Sequence, residues 1–117
     1  MLISAMAAVT TSLSFGITAS TSYEHPYAVA RKFSTLDHLT RGRVGWNVVT
    51  SFLESAAKAY GYQETIPHDE RYIRADEYMD VFYKFLEGSW RDDACVQDVN
   101  TGKYSIPEKV RRIEHDG

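Results

Sequence analysis

His68 and Tyr72 stand four residues apart, a spacing that turns both side chains to one side of a helix. Pro67 before them and Asp69-Glu70 between them mark the opening turn of that helix, where free N–H groups and the positive dipole end favour anions. A histidine and a tyrosine paired there can donate to a phosphate or to a ring carbonyl. The same residues also suit a plain helix start and a core tyrosine. Two hydroxyl-rich stretches offer comparable chemistry: Thr18-Ala19-Ser20 and the run from Asn47 through Ser51. Hydroxyls, backbone N–H groups and helix N-termini can together hold a phosphate or a polar ring edge, although hydroxyls at strand ends ordinarily just cap the next helix. Glu24-His25-Pro26 is equally well read as a helix start. Cys95 lacks the spaced Cys or His partners of a zinc site, and Asp92, Asp93 and Asp98 nearby disfavour a thiolate. There is no glycine-rich nucleotide loop, metal triad or nucleophile elbow.

The elements that must position these residues follow from hydrophobic spacing. Leu2, Ile3, Met6, Ala7 and Val9 suit a short buried helix. From Leu13 to Ser20, large apolar residues alternate with Ser, Gly, Thr and Ser, the period of a strand. Its small, polar face suits a crowded interior or a ligand close to the backbone. Pro26 fits a first helical turn, Val29, Phe33, Leu36 and Thr40 continue at helical spacing, and Gly42 stops the helix. Arg43 to Ser51 is a second strand, with Val44, Trp46 and Val48 on one face and Gly45, Asn47 and Val49 on the other. Strand, helix, strand with short connections predicts a right-handed βαβ unit with parallel strands near 13–19 and 43–49 and a crossover helix over 26–40. A short helix from about Leu53 to Tyr60 ends at Gly61. A long amphipathic helix is expected over about 69–86, with Tyr72, Ala75, Met79, Phe82 and Leu86 as its buried stripe, and Gly88 ends it. Beyond Ser89 the pattern weakens into an excursion with turns at Thr101-Gly102 and Pro107.

Composition narrows the function classes. A net charge of −3 gives no reason to expect nucleic acid or an anionic membrane as partner. The short basic runs Arg41-Gly42-Arg43 and Lys109 to Arg112 sit among acids, as on a solvated face. Met1 to Ser22 is apolar but has no Lys or Arg, and Thr10, Thr11, Ser12 and Ser14 break it. It therefore fits neither a signal peptide nor a membrane span, and the expected location is cytoplasmic. No linker or repeat divides the chain, so 1–117 is read as one unit.

That unit is incomplete as a fold. Parallel strands are buried on both faces and need neighbours on both sides. A full (β/α)₈ barrel takes about 250 residues or more, and the chain would supply about a quarter of one. Two strands make a partial α/β TIM barrel with open edges, through which chains can associate.

Several runs resemble one family: His25-Pro26-Tyr27, Arg31 through Leu39, Gly42 through Ser51 with its Trp-Asn-Val-Val-Thr-Ser signature, Pro67 through Tyr72, and Glu87-Gly88-Ser89-Trp90. Together they resemble the nitrilotriacetate, dibenzothiophene-sulfone and long-chain-alkane monooxygenase group of the luciferase-like flavoproteins, over nearly the entire chain. The resemblance implies a TIM-barrel enzyme that takes reduced FMN from a separate NAD(P)H-dependent flavin reductase and uses O₂ to oxygenate a small organic compound. It implies Thr18 as a flavin contact at the end of the third barrel strand and Ser51 as one after the fourth. His68 and Tyr72 match the pair that reaches the flavin phosphate and ribityl chain, and Asn47 occupies a signature position. Phe52 departs from the pattern, standing where alkane-oxidising relatives carry a histidine near the substrate. Met1 aligns with an internal helix position, so the first two strands with their acidic flavin contact, and the later strands with a serine-rich phosphate loop, are expected to lie outside these 117 residues. The expected function is therefore that of a monooxygenase segment, inactive and without retained FMN by itself. The alternatives are a remnant of a truncated gene without activity, or one part of a split barrel.

Overall fold

The computed structural model describes residues 2–117; the helix position assigned to Met1 lies outside the described residues. Helix α1 (Leu2–Ala8) leads to strand β1 (Phe15–Ser20), helix α2 (Pro26–Thr40) and strand β2 (Val44–Val49). β1 and β2 are parallel, with Phe15 opposite Val44 and Ser20 opposite Val49. Local chemistry sets both ends of the crossover helix. Pro26 occupies its first turn, and His25 accepts the Tyr27 N–H through Nδ1 at 3.2 Å. At the other end Arg41 and Gly42 take left-handed backbone, and the Gly42 N–H returns to the Asp37 carbonyl at 3.0 Å, which stops the helix and turns the chain into β2.

Short helix α3 (Glu54–Ala59) and long helix α4 (His68–Tyr83) follow. α4 does not run on as α-helix: one π-helical turn, Lys84–Gly88, continues it. Helices α2 and α4 lie together on one face of the two strands. Val29, Ala30, Tyr78 and Phe82 form the core there, with Phe33, Trp46, Met79 and Phe85 packed against it. The Trp46 ring lies 4.7 Å from Phe82 and 5.2 Å from Phe33, and its Nε1 donates to the Ala19 carbonyl at 3.0 Å.

Two stretches pack differently from the periodicity. The buried stripe of α4 runs through Ala75, Tyr78 and Phe82 and on to Phe85, whereas Tyr72 (53%) and Leu86 (43%) are exposed. A helical stripe alternates between i+3 and i+4 steps, and the steps here run through 75, 78, 82 and 85, leaving Leu86 off the buried face. In α1 only Ala7 is buried, and Leu2 is 79% exposed, because α2 is its main packing partner. The C-terminal stretch is more regular than its weak pattern suggests. Strands β3 (Cys95–Asp98) and β4 (Lys103–Ser105) form an antiparallel hairpin. Its turn is tied by Asp98, whose carboxylate accepts from the Thr101 hydroxyl and from the Asn100 and Thr101 N–H groups, and these bonds hold it below the usual carboxylate range.

The molecule is a slab of 56 × 39 × 19 Å, as thick as one sheet layer and one helix layer. The radius of gyration is 17.2 Å, against about 13 Å for a compact chain of this length. Its accessible surface is 8719 Å², roughly 2,200 Å² more than a compact monomer of this mass exposes. The sheet face away from the helices is bare, with Gly16, Thr18, Gly45 and Asn47 all exposed. The Phe15 N–H donates to Arg43 and the Thr21 N–H to Val49, so the alternate peptide groups of Gly16, Thr18 and Ser20 face a free edge. Along that edge a groove of about 590 Å³, lined by Ile3, Ile17, Val29, Phe33 and Leu36, opens beside α1 and α2.

Tyr78 is 6% exposed, and its hydroxyl has no hydrogen-bond partner. Burial first, and the Glu24 carboxylate second, push its pKa up to about 12. An unfolded tyrosine ionises near pH 10, so its contribution to stability is constant below that pH and falls between about pH 10 and 12. In a complete barrel carrying these residues, Tyr78→Phe is expected to stabilise by about 1 kcal/mol and to remove that alkaline loss. Urea unfolding at pH 8 and 11 measures both. A destabilised variant at pH 8 would mean that the hydroxyl is bonded.

Candidate functional site

The hydroxyls in and just after β1 divide into two groups. The Thr21 hydroxyl donates to the Val49 carbonyl at 3.4 Å, and the Ser22 hydroxyl to the Thr50 carbonyl. They tie the C-terminal ends of the two strands together rather than capping α2, whose cap is His25. Thr18 faces the bare side of the sheet. It is the register partner of Asn47, and Asn47 Nδ2 donates to Thr18 Oγ1 at 3.2 Å.

Ser51, just beyond β2, has φ 55°. That left-handed backbone is uncommon for a residue with a side chain and costs of order 1 kcal/mol or more. Ser51 does not cap α3 either: the N-cap is Leu53, with no side-chain bond. Of the strand-end hydroxyls, Thr18 and Ser51 therefore cap no helix, and Ser20 Oγ accepts the Ser22 N–H at 3.1 Å. Phe52 follows at 76% exposure.

His68 and Tyr72 lie side by side at the start of α4, ring centroids 4.8 Å apart and tilted by 41°. Both are exposed, and His68 Nδ1 lies 2.7 Å from Asp69 Oδ1. The N-cap of α4 is Pro67, with no side-chain bond to the first turn, so the N–H groups of that turn remain free for an anion. The four residues thus form separate groups. Thr18 is joined to Asn47 and His68 to Tyr72, and among the described residues no hydrogen bond or ring contact links the two pairs or reaches Ser51.

Sequence spacing missed a tyrosine cluster at the same end of the strands. Tyr23, after β1, stacks on Tyr60, after α3, at 4.9 Å and 8°, and Tyr62 lies 5.6 Å from Tyr23. The only signal was three tyrosines in strand-end and helix-end loops. Among the described residues no group of His, Cys, Asp or Glu could hold a metal ion. No described helix is long and apolar enough to cross a membrane.

A parallel pair joined by a crossover helix, with helices on one face and a small polar opposite face, defines a βαβ segment of a larger α/β fold. Comparison with known proteins gives the family: the luciferase-like monooxygenase family matches residues 1–115, and the chain belongs to it. The long-chain alkane monooxygenase of Geobacillus thermodenitrificans is 57% identical over 117 residues, which is 100% of this chain and 27% of that protein. A crystal structure of a long-chain alkane monooxygenase superposes with a TM-score of 0.92 at 57% identity, again over 100% of this chain and 27% of the other. A crystal structure of riboflavin lyase with modified FMN and riboflavin gives 0.91 at 45% identity, over 99% of this chain and 26% of that one. Dibenzothiophene-sulfone and nitrilotriacetate monooxygenases match too, at 46% and 41% identity, so the group named from the sequence motifs holds. The chain spans about a quarter of the length of the relatives it matches, and its fold is the corresponding part of their TIM barrel.

Proposed function

We propose that residues 1–117 form the third and fourth strands of an FMN-dependent, two-component monooxygenase and carry part of its flavin site. The observation that carries this is the placement of unused polar groups in and beyond the C-terminal halves of two parallel strands, in a chain that matches flavin enzymes over its whole length. The groups present fit FMN. The Thr18 hydroxyl keeps its proton, and Ser51 is strained and caps nothing. The uncapped start of α4, with His68 and Tyr72, has the donors a phosphate needs. Bound reduced FMN would supply the electrons that activate O₂. Thr18 and Ser51 would orient the ring, His68 and Tyr72 would hold the phosphate and ribityl chain, and a closed barrel would exclude water. A separate reductase would deliver the reduced flavin, and the second substrate would be a small organic compound. A split barrel completed by a separate chain is the second reading, favoured by the two free edges and the bare sheet face.

The test installs residues 1–117 in place of the matching quarter of the alkane monooxygenase, where 57% identity and a TM-score of 0.92 favour a fit. Thr18→Ala, Ser51→Ala, His68→Ala and Tyr72→Phe are each expected to weaken FMN binding about fivefold, as for one lost hydrogen bond, measured by flavin fluorescence quenching. Unchanged affinity in all four would remove the assignment.

Phe52 adds a substrate expectation. A hydrocarbon ring can neither donate nor accept a proton, so the same hybrid should oxidise long-chain alkanes at least about a hundredfold more slowly than the parent, the low end of what one acid–base group contributes. Undiminished alkane turnover would show that the position does not matter.

A further inference from the structure

Asn47 and Thr18 are register partners on the bare face of the sheet, joined at 3.2 Å from Asn47 Nδ2 to Thr18 Oγ1. The polarity of this bond has a consequence. A carboxamide nitrogen can only donate, so the threonine oxygen accepts with one lone pair, and its single O–H proton stays free. Neither side chain has a second hydrogen-bond partner among the described residues. The pair therefore presents one free donor, the Thr18 O–H, and one free acceptor, Asn47 Oδ1, on strands about 4.8 Å apart. Two residues earlier on the same face, Gly16 lies opposite Gly45, and a Cβ on either would meet nothing within 4 Å. A flat group can lie against the sheet there without a side chain in its way.

We propose that Asn47 is a positioning residue for the cofactor, fixing the Thr18 hydroxyl so that its proton is donated to the flavin ring edge. This rests on the flavin reading above and adds a role to a residue that touches the ring through Thr18.

A double-mutant cycle in the hybrid barrel tests it, read as FMN dissociation constants and as the absorption spectrum of bound flavin, with thermal midpoints confirming folding. Thr18→Ala and Asn47→Ala should each weaken FMN about fivefold and change the spectrum alike. The double variant should be no weaker than Thr18→Ala, because Asn47 acts only through that hydroxyl. A double loss of about twenty-fivefold would mean independent roles and would overturn the proposal. So would full affinity in Asn47→Ala beside a weakened Thr18→Ala, which leaves the flavin reading standing. Full affinity in Thr18→Ala would also overturn the proposal, while the flavin reading would still rest on Ser51, His68 and Tyr72. Asn47→Asp keeps the side-chain volume but has no N–H to donate. It should lose affinity as Asn47→Ala does, and normal FMN binding by a folded Asn47→Asp would also count against the role.

Discussion

Titrated with FMN at micromolar concentrations, the isolated 117-residue chain is expected to give no saturable change in flavin fluorescence, and its thermal unfolding should be broad rather than cooperative. Ordering the backbone costs about 1–2 kcal/mol per residue, which buried surface must offset. Here the chain exposes 8719 Å² at a radius of gyration of 17.2 Å, well beyond the roughly 6,500 Å² and 13 Å of a compact chain. The buried core is one cluster between α2 and α4, on one face of two strands whose other face is bare. Isolated two-stranded sheets are marginal even when antiparallel. Free strand edges should instead drive association, seen as concentration-dependent light scattering. Any flavin that did bind would meet Thr18 and His68 without a facing wall. A sharp transition together with micromolar FMN binding would refute this and would make the chain a flavoprotein as it stands.

In the hybrid barrel, Trp46→Ala is expected to cost about 3–5 kcal/mol, the range for deleting a large aromatic from a packed core. Trp46 is the side chain of the sheet that α2 and α4 share, with Phe33, Phe82 and Tyr78 around it at 5.2, 4.7 and 6.2 Å. Its indole N–H also holds the Ala19 carbonyl, one residue beyond Thr18, so the variant should lose FMN affinity along with stability. A companion pair tests which side of the π turn faces inward. Phe85→Ala should cost about 3 kcal/mol and Leu86→Ala less than about 1 kcal/mol, since Leu86 is 43% exposed. Urea midpoints of the three variants decide it. A larger loss from Leu86→Ala than from Phe85→Ala would restore the stripe read from periodicity.

The sequence by itself determined what depends on local period and chain stops. Alternation along Phe15–Ser20 and Val44–Val49, Pro26 at one end of a helix and Gly42 at the other, and the shortness of the connections suffice for a parallel βαβ unit, because few other chain paths satisfy right-handed crossover. The Trp46–Ser51 signature likewise located the family. Tertiary structure decided what depends on distance between elements. Periodicity gives a helix face only to within a residue or so, and the positions of α2 and Trp46 select Tyr78 and Phe85 over Tyr72 and Leu86. The hairpin at Cys95–Ser105 was hidden because its strands are short and mostly exposed and its turn is held by a side chain, Asp98, rather than by a Pro-Gly pair. The tyrosine stack joins residues 23 and 60, which no local spacing connects. The bond between Asn47 and Thr18 exists only because the parallel register sets those two residues opposite each other: a shift of one residue would have turned one of them to the helix side of the sheet.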